Sequence, residues 1–374
     1  MDFRLSEEQQ AVADVADAVM GRVSASKVDA PPPPTGADWF DRETWHRLAE
    51  SNILGISLSE DVGGAGLGLL EILGAAIAQG RHLARVPLAM TAAVAAPAID
   101  AFGSAVMRSS VLAGVAEGAK VLTAALVEPG SYGANTVTTT AAQGSDGRWR
   151  LDGAKSNVPF AREADRVLVP ATTGQTVRIF VVDPTASGVT LTDQLTTNGQ
   201  PECELTLEGV QVDAEAALGS TDDDVHQWMV DRAVLALCAV QVGVGEQALA
   251  MTASYTAQRE QFGKPLATFQ SVALRAADAF LAVECMRSTL WQAAWLLAEG
   301  RPVGGAVNVA KFWASEAGQE VTASAQQLHG GMGVDTDYPL HRYTLWSKLN
   351  ELSLGSAQVH LARIGAGLAA GAGE

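Results

Sequence analysis

Arg259-Glu260-Gln261-Phe262-Gly263-Lys264-Pro265-Leu266 closes one long apolar helical pattern and opens another. Gly263 followed by Pro265 lets the backbone turn where a helix cannot continue, so the stretch reads as a corner between two helices. The corner carries Arg259 and Lys264, and a guanidinium offers a rigid fork of donors that suits a phosphate. These eight residues alone allow two readings, a grip for an anion or two solvated surface charges beside a turn. Outward from the corner the apolar spacing is helical over roughly 223–259, 266–299, 303–329 and 339–369, the pattern of a four-helix bundle. Apolar residues wrap more than one face of these helices. They are therefore expected between neighbours or at an interface with another chain, with Trp291, Trp295 and Trp313 packed inside.

The chain has 374 residues and 48% of them are hydrophobic, enough for two or three packed units with a large core. A formal charge of −17 argues against a nucleic-acid backbone as partner, because such binding needs a basic surface. No uninterrupted apolar run reaches the length of a membrane span, and the first residues carry Asp2, Glu7 and Glu8 rather than a basic leader. The expectation is a cytoplasmic protein with no membrane insertion. Cys203, Cys238 and Cys285 lack the spacing of a disulfide framework or a metal knot and read as small core residues.

Ser6-Glu7-Glu8-Gln9 has the spacing of a capping box, and Val12, Val15, Ala16 and Val19 follow at helical intervals. Prolines at 31 to 34 interrupt the pattern. Phe40, Trp45, Leu48 and Ala49 then mark a second helix, and Gly63, Gly64 and Gly66 a loop. Ala-rich helical patterns continue to Glu117. From Lys120 the character changes to short β-type runs at 148–152, 166–170 and 177–182. In the run 202–208, Glu202, Glu204, Thr206 and Glu208 alternate with Cys203, Leu205 and Leu207, which predicts a strand with one wet face. No helix-length segment separates these strands, so the sheet is expected to be antiparallel and barrel-like. The fold class is α+β: a helical domain over 1–118, a β domain over 119–220 and a helical bundle over 221–374.

Several motifs lead nowhere. Gly243-Val244-Gly245-Glu246-Gln247-Ala248 imitates a dinucleotide fingerprint, but the helical pattern runs through it unbroken and no β-α-β context surrounds it. Small residues there read as close helix packing. The histidines show no H-E-x-x-H spacing and no G-x-S-x-G elbow is present, so no metal site and no hydrolase nucleophile are expected.

Gln327-Leu328-His329-Gly330-Gly331-Met332-Gly333 ends the third bundle helix, and its glycines could by themselves be a helix stop. Taken with the Arg259 corner, with Asp335-Thr336-Asp337-Tyr338-Pro339, with Gly355-Ser356-Ala357-Gln358 and with the helix, β, helix order, it resembles the paired flavin-binding signatures of the acyl-CoA dehydrogenase family. The resemblance covers nearly the whole chain. It implies removal of an α proton from a CoA thioester by a carboxylate while the β hydride passes to FAD. It also implies a cofactor shared across a subunit interface, with Arg259, Gln261, Phe262, Gln270, Gln327, Gly330, Gly331, Ser356 and Gln358 as the residues that would contact it.

Two departures stand out. The position of the family's usual base, just before Gly355-Ser356, holds Leu354, and the second known position holds Ala233. Neither side chain can accept a proton. Glu351 and Asp231 are the nearest carboxylates in sequence. The middle domain of the family carries a Trp-Ile-Thr or Trp-Ile-Ser run bordering the flavin ring, and Asn157-Val158-Pro159 stands there instead, after a loop Glu128 to Asn135 that keeps only its Glu-Pro-Gly opening. What is kept would serve a partner's cofactor; what is lost would serve this chain's own. That combination resembles the base-less subunit of the α2β2 acyl-CoA dehydrogenases of bacterial steroid side-chain degradation. The partner implied is a homologous subunit with the catalytic Glu, and the substrate an acyl-CoA. Two other readings stay open, a self-sufficient homotetramer with an unorthodox base and a redox-inactive scaffold that binds CoA esters.

Overall fold

A computed structural model describes residues 5–28, 39–220 and 223–371. The proline run at 31–34 lies outside the described residues. Among those described, the order is helices, then strands, then helices again. They divide into two compact units. One comprises Met1–Pro32, Leu73–Ala84 and Leu237–Glu374, the other Pro33–Ile72 and Arg85–Ala236.

Helix α1 (Glu7–Val28) starts where the capping box predicts: the Gln9 N–H donates to Ser6 Oγ at 3.1 Å and the Ser6 N–H to Gln9 Oε1 at 3.0 Å. Helix α2 (Arg42–Glu50) is capped by the Asp41 carboxylate, which accepts from the Thr44 N–H. Helix α3 (Leu69–His82) is followed by α4 (Leu88–Met90), a single π turn over Thr91–Ala95, α5 (Ala96–Phe102) and α6 (Ala105–Val111).

Eight of the described strands are β1 (Leu122–Ala124), β2 (Thr140–Gln143), β3 (Trp149–Pro159), β4 (Arg166–Thr173), β5 (Thr176–Val182), β6 (Val189–Gln194), β7 (Glu202–Val212) and β8 (Ala217–Leu218). They form one sheet in the order β6-β7-β3-β2-β4-β5-β8, with β1 also on β4. Two expectations need correcting. The sheet is not closed into a barrel, since β6 and the two-residue β8 are its ends. Nor is it wholly antiparallel: β1 and β2 each pair with β4 in parallel. Leu151, Val158, Val167, Val169, Phe180 and Leu205 fill the core on its buried face.

Helix α7 (Val225–Gln258) begins in the unit that holds the sheet and ends in the other. It is long and apolar enough to cross a membrane by length and composition, but 67% of that apolar window is buried, as in a core helix. Its glycines serve packing, as the helical reading of 243–248 requires. A Cβ on Gly243 would lie 1.9 Å from the Ile77 carbonyl oxygen on α3, and one on Gly80 of α3 would lie 1.9 Å from that of Val240. The two backbones touch there. After the hairpin β9 (Glu260–Gln261) and β10 (Lys264–Pro265) come α8 (Gln270–Ala298) and α9 (Ala306–His329). The fourth helical run is two helices, α10 (Leu340–Leu352) and α11 (Ala357–Ala369), because Leu354 and Gly355 take φ of 58° and 107° and break it. Trp291, Trp295 and Trp313 are half-buried on α8 and α9.

Candidate cofactor site

The corner at Arg259 is a tight hairpin. Gln261 pairs with Lys264 and Glu260 with Pro265, and the Leu266 N–H donates to the Arg259 carbonyl at 2.8 Å. The two loop residues, Phe262 and Gly263, have φ of 56° and 77°, the signs of a type I′ turn. Glycine adopts this freely, whereas a phenylalanine there crowds its own Cβ against the backbone. Phe262 is nevertheless 92% exposed, its ring set edge-on to Phe269 with centroids 6.3 Å apart, while Lys264 Nζ lies 4.3 Å from the centre of the Phe269 ring. Arg259, Gln261 and Gln270 are exposed as well.

The end of α9 is pinned to the end of α7 by an aromatic stack. The Tyr255 and His329 rings stack 4.3 Å apart, and Tyr338 covers His329 from 5.3 Å. Burial holds the His329 pKa below its usual value, so the ring is neutral. Its Nδ1 lies 2.8 Å from the Ala325 carbonyl and carries the proton, leaving Nε2 to accept from the Tyr338 hydroxyl at 3.2 Å. This stack fixes the point where the helix stops. Gly330 follows with φ 61° and ψ −135°, a conformation that only glycine takes without strain, and open space lies where Cβ atoms of Gly330 and Gly331 would be. Gln327, Gly330 and Gly331 are exposed.

Leu354 occupies the turn between α10 and α11, 8% exposed. The Glu351 carboxylate one turn earlier is tied to Lys348 Nζ at 2.5 Å. Ser356 is the N-cap residue of α11, yet its hydroxyl makes no cap hydrogen bond, and Gln358 in the first turn is exposed. In the other unit Ala233 is fully buried. Asp231 accepts from Gln227 Nε2 at 2.8 Å along the same helix, and burial raises its pKa. All nine expected cofactor residues thus lie in one unit, eight exposed and Ser356 half-buried; they offer a guanidinium, four amides, a hydroxyl and two open glycines. That donor set fits a diphosphate and a ribose.

The stretch Asn157-Val158-Pro159 is closed within its own unit. The register between β3 and β7 shifts between Lys155 and Val158, and Asn157 takes φ 54° at this bulge. Its amide donates to Glu202 Oε2 at 3.0 Å, its N–H to Gln194 Oε1 at 2.8 Å, and Gln200 Nε2 donates to the other Glu202 oxygen at 3.1 Å. Glu202, expected on the wet face, is therefore 4% exposed, because the bulge folds the Asn157 side chain over it. Burial pushes its pKa up to about 7 against the pull of the two amide donors. The neighbouring Glu128 is buried on Lys155, with Nζ at 2.6 Å, and also accepts from the Thr138 and Thr139 hydroxyls and N–H groups. No sequence signal marks either cluster as buried, because single acidic residues in β patterns are ordinarily solvated.

Known proteins bear on both regions. Residues 6–119 match the family model "Acyl-CoA dehydrogenase, N-terminal domain" and residues 224–369 match "Acyl-CoA dehydrogenase, C-terminal domain". The chain is 39% identical to acyl-CoA dehydrogenase FadE27 of Mycobacterium tuberculosis over 88% of its length and 89% of that protein's. It is 34% identical to FadE28 of the same organism over 98% of both. Among solved structures, a chain of the ChsE4-ChsE5 complex from Mycobacterium tuberculosis superposes with a TM-score of 0.91 at 37% identity, covering 99% of both chains. A chain from a variant of the Tcur3481-Tcur3483 steroid ACAD gives 0.90 at 40% identity over 98% of this chain and 99% of the other. The fold, the signatures at Arg259 and Gln327, and these matches together establish that the chain belongs to the acyl-CoA dehydrogenase family.

Proposed function

We propose that this chain is the base-less subunit of a heteromeric, FAD-dependent acyl-CoA dehydrogenase, contributing half of a flavin site to a homologous partner in an α2β2 assembly. The observation that carries the reading is the Leu354 turn. A buried aliphatic side chain stands where the family's α-proton base would be, and the nearest carboxylate in sequence, Glu351, is engaged by Lys348. Bound FAD would supply the acceptor for the β hydride. On this reading Arg259 pairs with its diphosphate, and Gln261, Gln270, Gln327, Ser356 and Gln358 offer hydrogen bonds to its nucleotide part. Phe262 gives an apolar face, and Gly330 and Gly331 let the ligand approach the backbone. The partner supplies the base and borders the flavin ring, the role for which Asn157-Val158-Pro159 has no aromatic ring, hydroxyl or free Pro N–H.

The similarity to subunits of a ChsE4-ChsE5 complex and of a steroid enzyme pair supports a partner of the same family and a CoA ester carrying a steroid side chain. We place the protein in the cytoplasm, where CoA esters are found. The homotetramer alternative draws on Asp231, whose pKa is raised by burial. Co-purification with the candidate partner tests the choice. A single flavin for each pair of unlike chains is expected, and one flavin per chain would refute the shared site. In the active complex, Glu351→Gln and Asp231→Asn should leave turnover within about threefold, since loss of a true general base costs on the order of a hundredfold or more.

A further inference from the structure

The break between α10 and α11 is only partly explained by its own sequence: Gly355 takes positive φ freely and the Ser353 hydroxyl donates to the Leu349 carbonyl at 2.8 Å, but Leu354 is a poor residue for the turn. Leu354 holds a left-handed φ of 58°, which crowds the Cβ of a non-glycine residue against its own backbone. Residues on two other helix faces hold it there. Lys311 on α9 is 1% exposed and faces no carboxylate hydrogen-bond partner; its Nζ instead donates to the Asn350 carbonyl at 2.8 Å, the Glu351 carbonyl at 3.1 Å and Ser315 Oγ at 2.8 Å. All three ammonium hydrogens are used, and the two carbonyls are among those that the last turn of α10 leaves without a helical partner. A cation at the negative end of a helix is favoured by the aligned peptide dipoles, which accounts for a buried lysine with no counter-ion at bonding distance.

From the other side, His360 on α11 places Nε2 3.1 Å from the Leu354 carbonyl and Nδ1 2.9 Å from the Asn308 side chain. Burial lowers its pKa to about 4, so the ring is neutral and has one N–H. The Leu354 carbonyl can only accept, so that proton sits on Nε2; the Asn308 atom placed at Nδ1 is Oδ1, and exchanging the amide's O and N, which are alike in shape, lets Asn308 donate there. Asn308 and Lys311 stand one turn apart on α9. The same helix therefore grips both sides of the turn, one contact at the end of α10 and one through His360.

We infer that Asn308, Lys311 and His360 are positioning residues that set the Ser353–Ser356 turn and thereby hold the unused Ser356 hydroxyl and the Gln358 amide ready for the nucleotide part of a bound cofactor. The cofactor half of this statement rests on the function proposed above; the clamp itself does not. Burial lowers the Lys311 pKa to about 8, and the titratable groups that face it are the Cys238 thiol on α7, Glu351 on α10 and His360 on α11. Cys238 is itself buried with a pKa pushed up to about 12, so in mild alkali the group that changes charge is Lys311. Loss of its charge removes one of the three donors.

Hydrogen exchange on the full chain reads the clamp without any flavin. The Ser353 N–H donates to Leu349 and the His360 N–H to Ser356, so both amides report on the turn. Corrected for its intrinsic pH dependence, their exchange in the wild type should rise about tenfold between roughly pH 7 and pH 9.5, relative to core amides of α7. In Lys311→Met it should already be high at neutral pH and no longer respond to pH; Asn308→Leu should give a smaller rise that keeps the pH response. Exchange that follows only the global stability in every variant would overturn the clamp. If Lys311→Met fails to fold, the pH response of the wild type alone decides. The complex with its partner tests the second half. Flavin affinity about tenfold weaker in Lys311→Met than in an equally destabilised core variant is expected. Full retention with a loosened turn would show that the turn does not serve the cofactor, leaving the clamp intact, whereas failure of the proposed function would appear as one flavin per chain.

Discussion

Two polar regions of this molecule treat their hydrogen-bonding groups in opposite ways. Around the bulge of β3, Asn157, Gln194, Gln200 and Glu202 satisfy one another, and Glu128 is enclosed by Lys155, Thr138 and Thr139. At the corner after α7 and the ends of α9 and α10, Arg259, Gln327, Ser356 and Gln358 face outward, and the chain keeps Phe262, Gly330 and Leu354 at positive φ beside them. A closed polar cluster needs nothing from outside. Asn157 and Leu354 also take positive φ, but contacts within this chain hold them, whereas Phe262 is strained and 92% exposed, which points to an external ligand or chain at the second region. The two can be separated by experiment, because groups in the first should report on this chain's own stability and groups in the second on its complexes.

The largest effect is expected at Glu202. Its folded pKa of about 7 lies above the ordinary carboxylate value of 4.5, so the folded state keeps a proton that the unfolded chain has lost. The stability this contributes is full below about pH 4.5 and is lost as pH rises through about 7, amounting at most to about 3 kcal/mol. Glu202→Gln keeps the shape and the neutral charge. Subtracting its denaturant unfolding curve from that of the wild type at pH 5 and at pH 8 should show the wild type weaker only at the higher pH. An equal difference at both values would mean that Glu202 is ionised throughout and that the cluster is not closed.

Arg259 tests the open region. Its removal should leave the fold of this chain untouched, since the side chain is exposed at the corner. In the complex, Arg259→Ala should weaken flavin binding by about 10- to 150-fold, the loss of a charge-assisted and bidentate contact to phosphate, and Arg259→Lys should restore part of it. Flavin absorbance per protein mass under dilution measures both. Full occupancy in Arg259→Ala would leave the exposed corner without a ligand.

Sequence carried the local features well and the distant ones poorly. The cap at Ser6, the corner at Arg259 and the Cys203, Leu205, Leu207 alternation depend on residues a few positions apart, and periodicity records such spacing directly. The same holds for the small-residue stretch at Gly243, which breaks no helical pattern. The parallel pairing of β1 and β2 with β4 joins segments tens of residues apart, and no local signal distinguishes it from an antiparallel hairpin. The break at Leu354 has no local signal for a related reason. Leucine favours helix, and the left-handed turn is held by Lys311 and His360, whose roles exist only in the folded chain. Glu202 leaves the expected wet face because one bulge in the partner strand overrides the period of two.

The smallest effect sharpens the comparison most, because opposite signs are expected in the free chain and in the complex. Phe262 occupies the first position of a type I′ turn, where asparagine is favoured before glycine. Phe262→Asn should relieve a left-handed conformation while losing little packing, since the ring is nearly all exposed, and so stabilise the isolated chain by about 1 kcal/mol. If the ring is kept for a surface outside this chain, the same substitution must weaken the complex, lowering flavin retention or partner affinity severalfold. Thermal unfolding of the chain alone and dilution of the complex give the two signs independently. A gain in both would mean that Phe262 is only a turn residue, and would remove the open region's strongest sign of a partner.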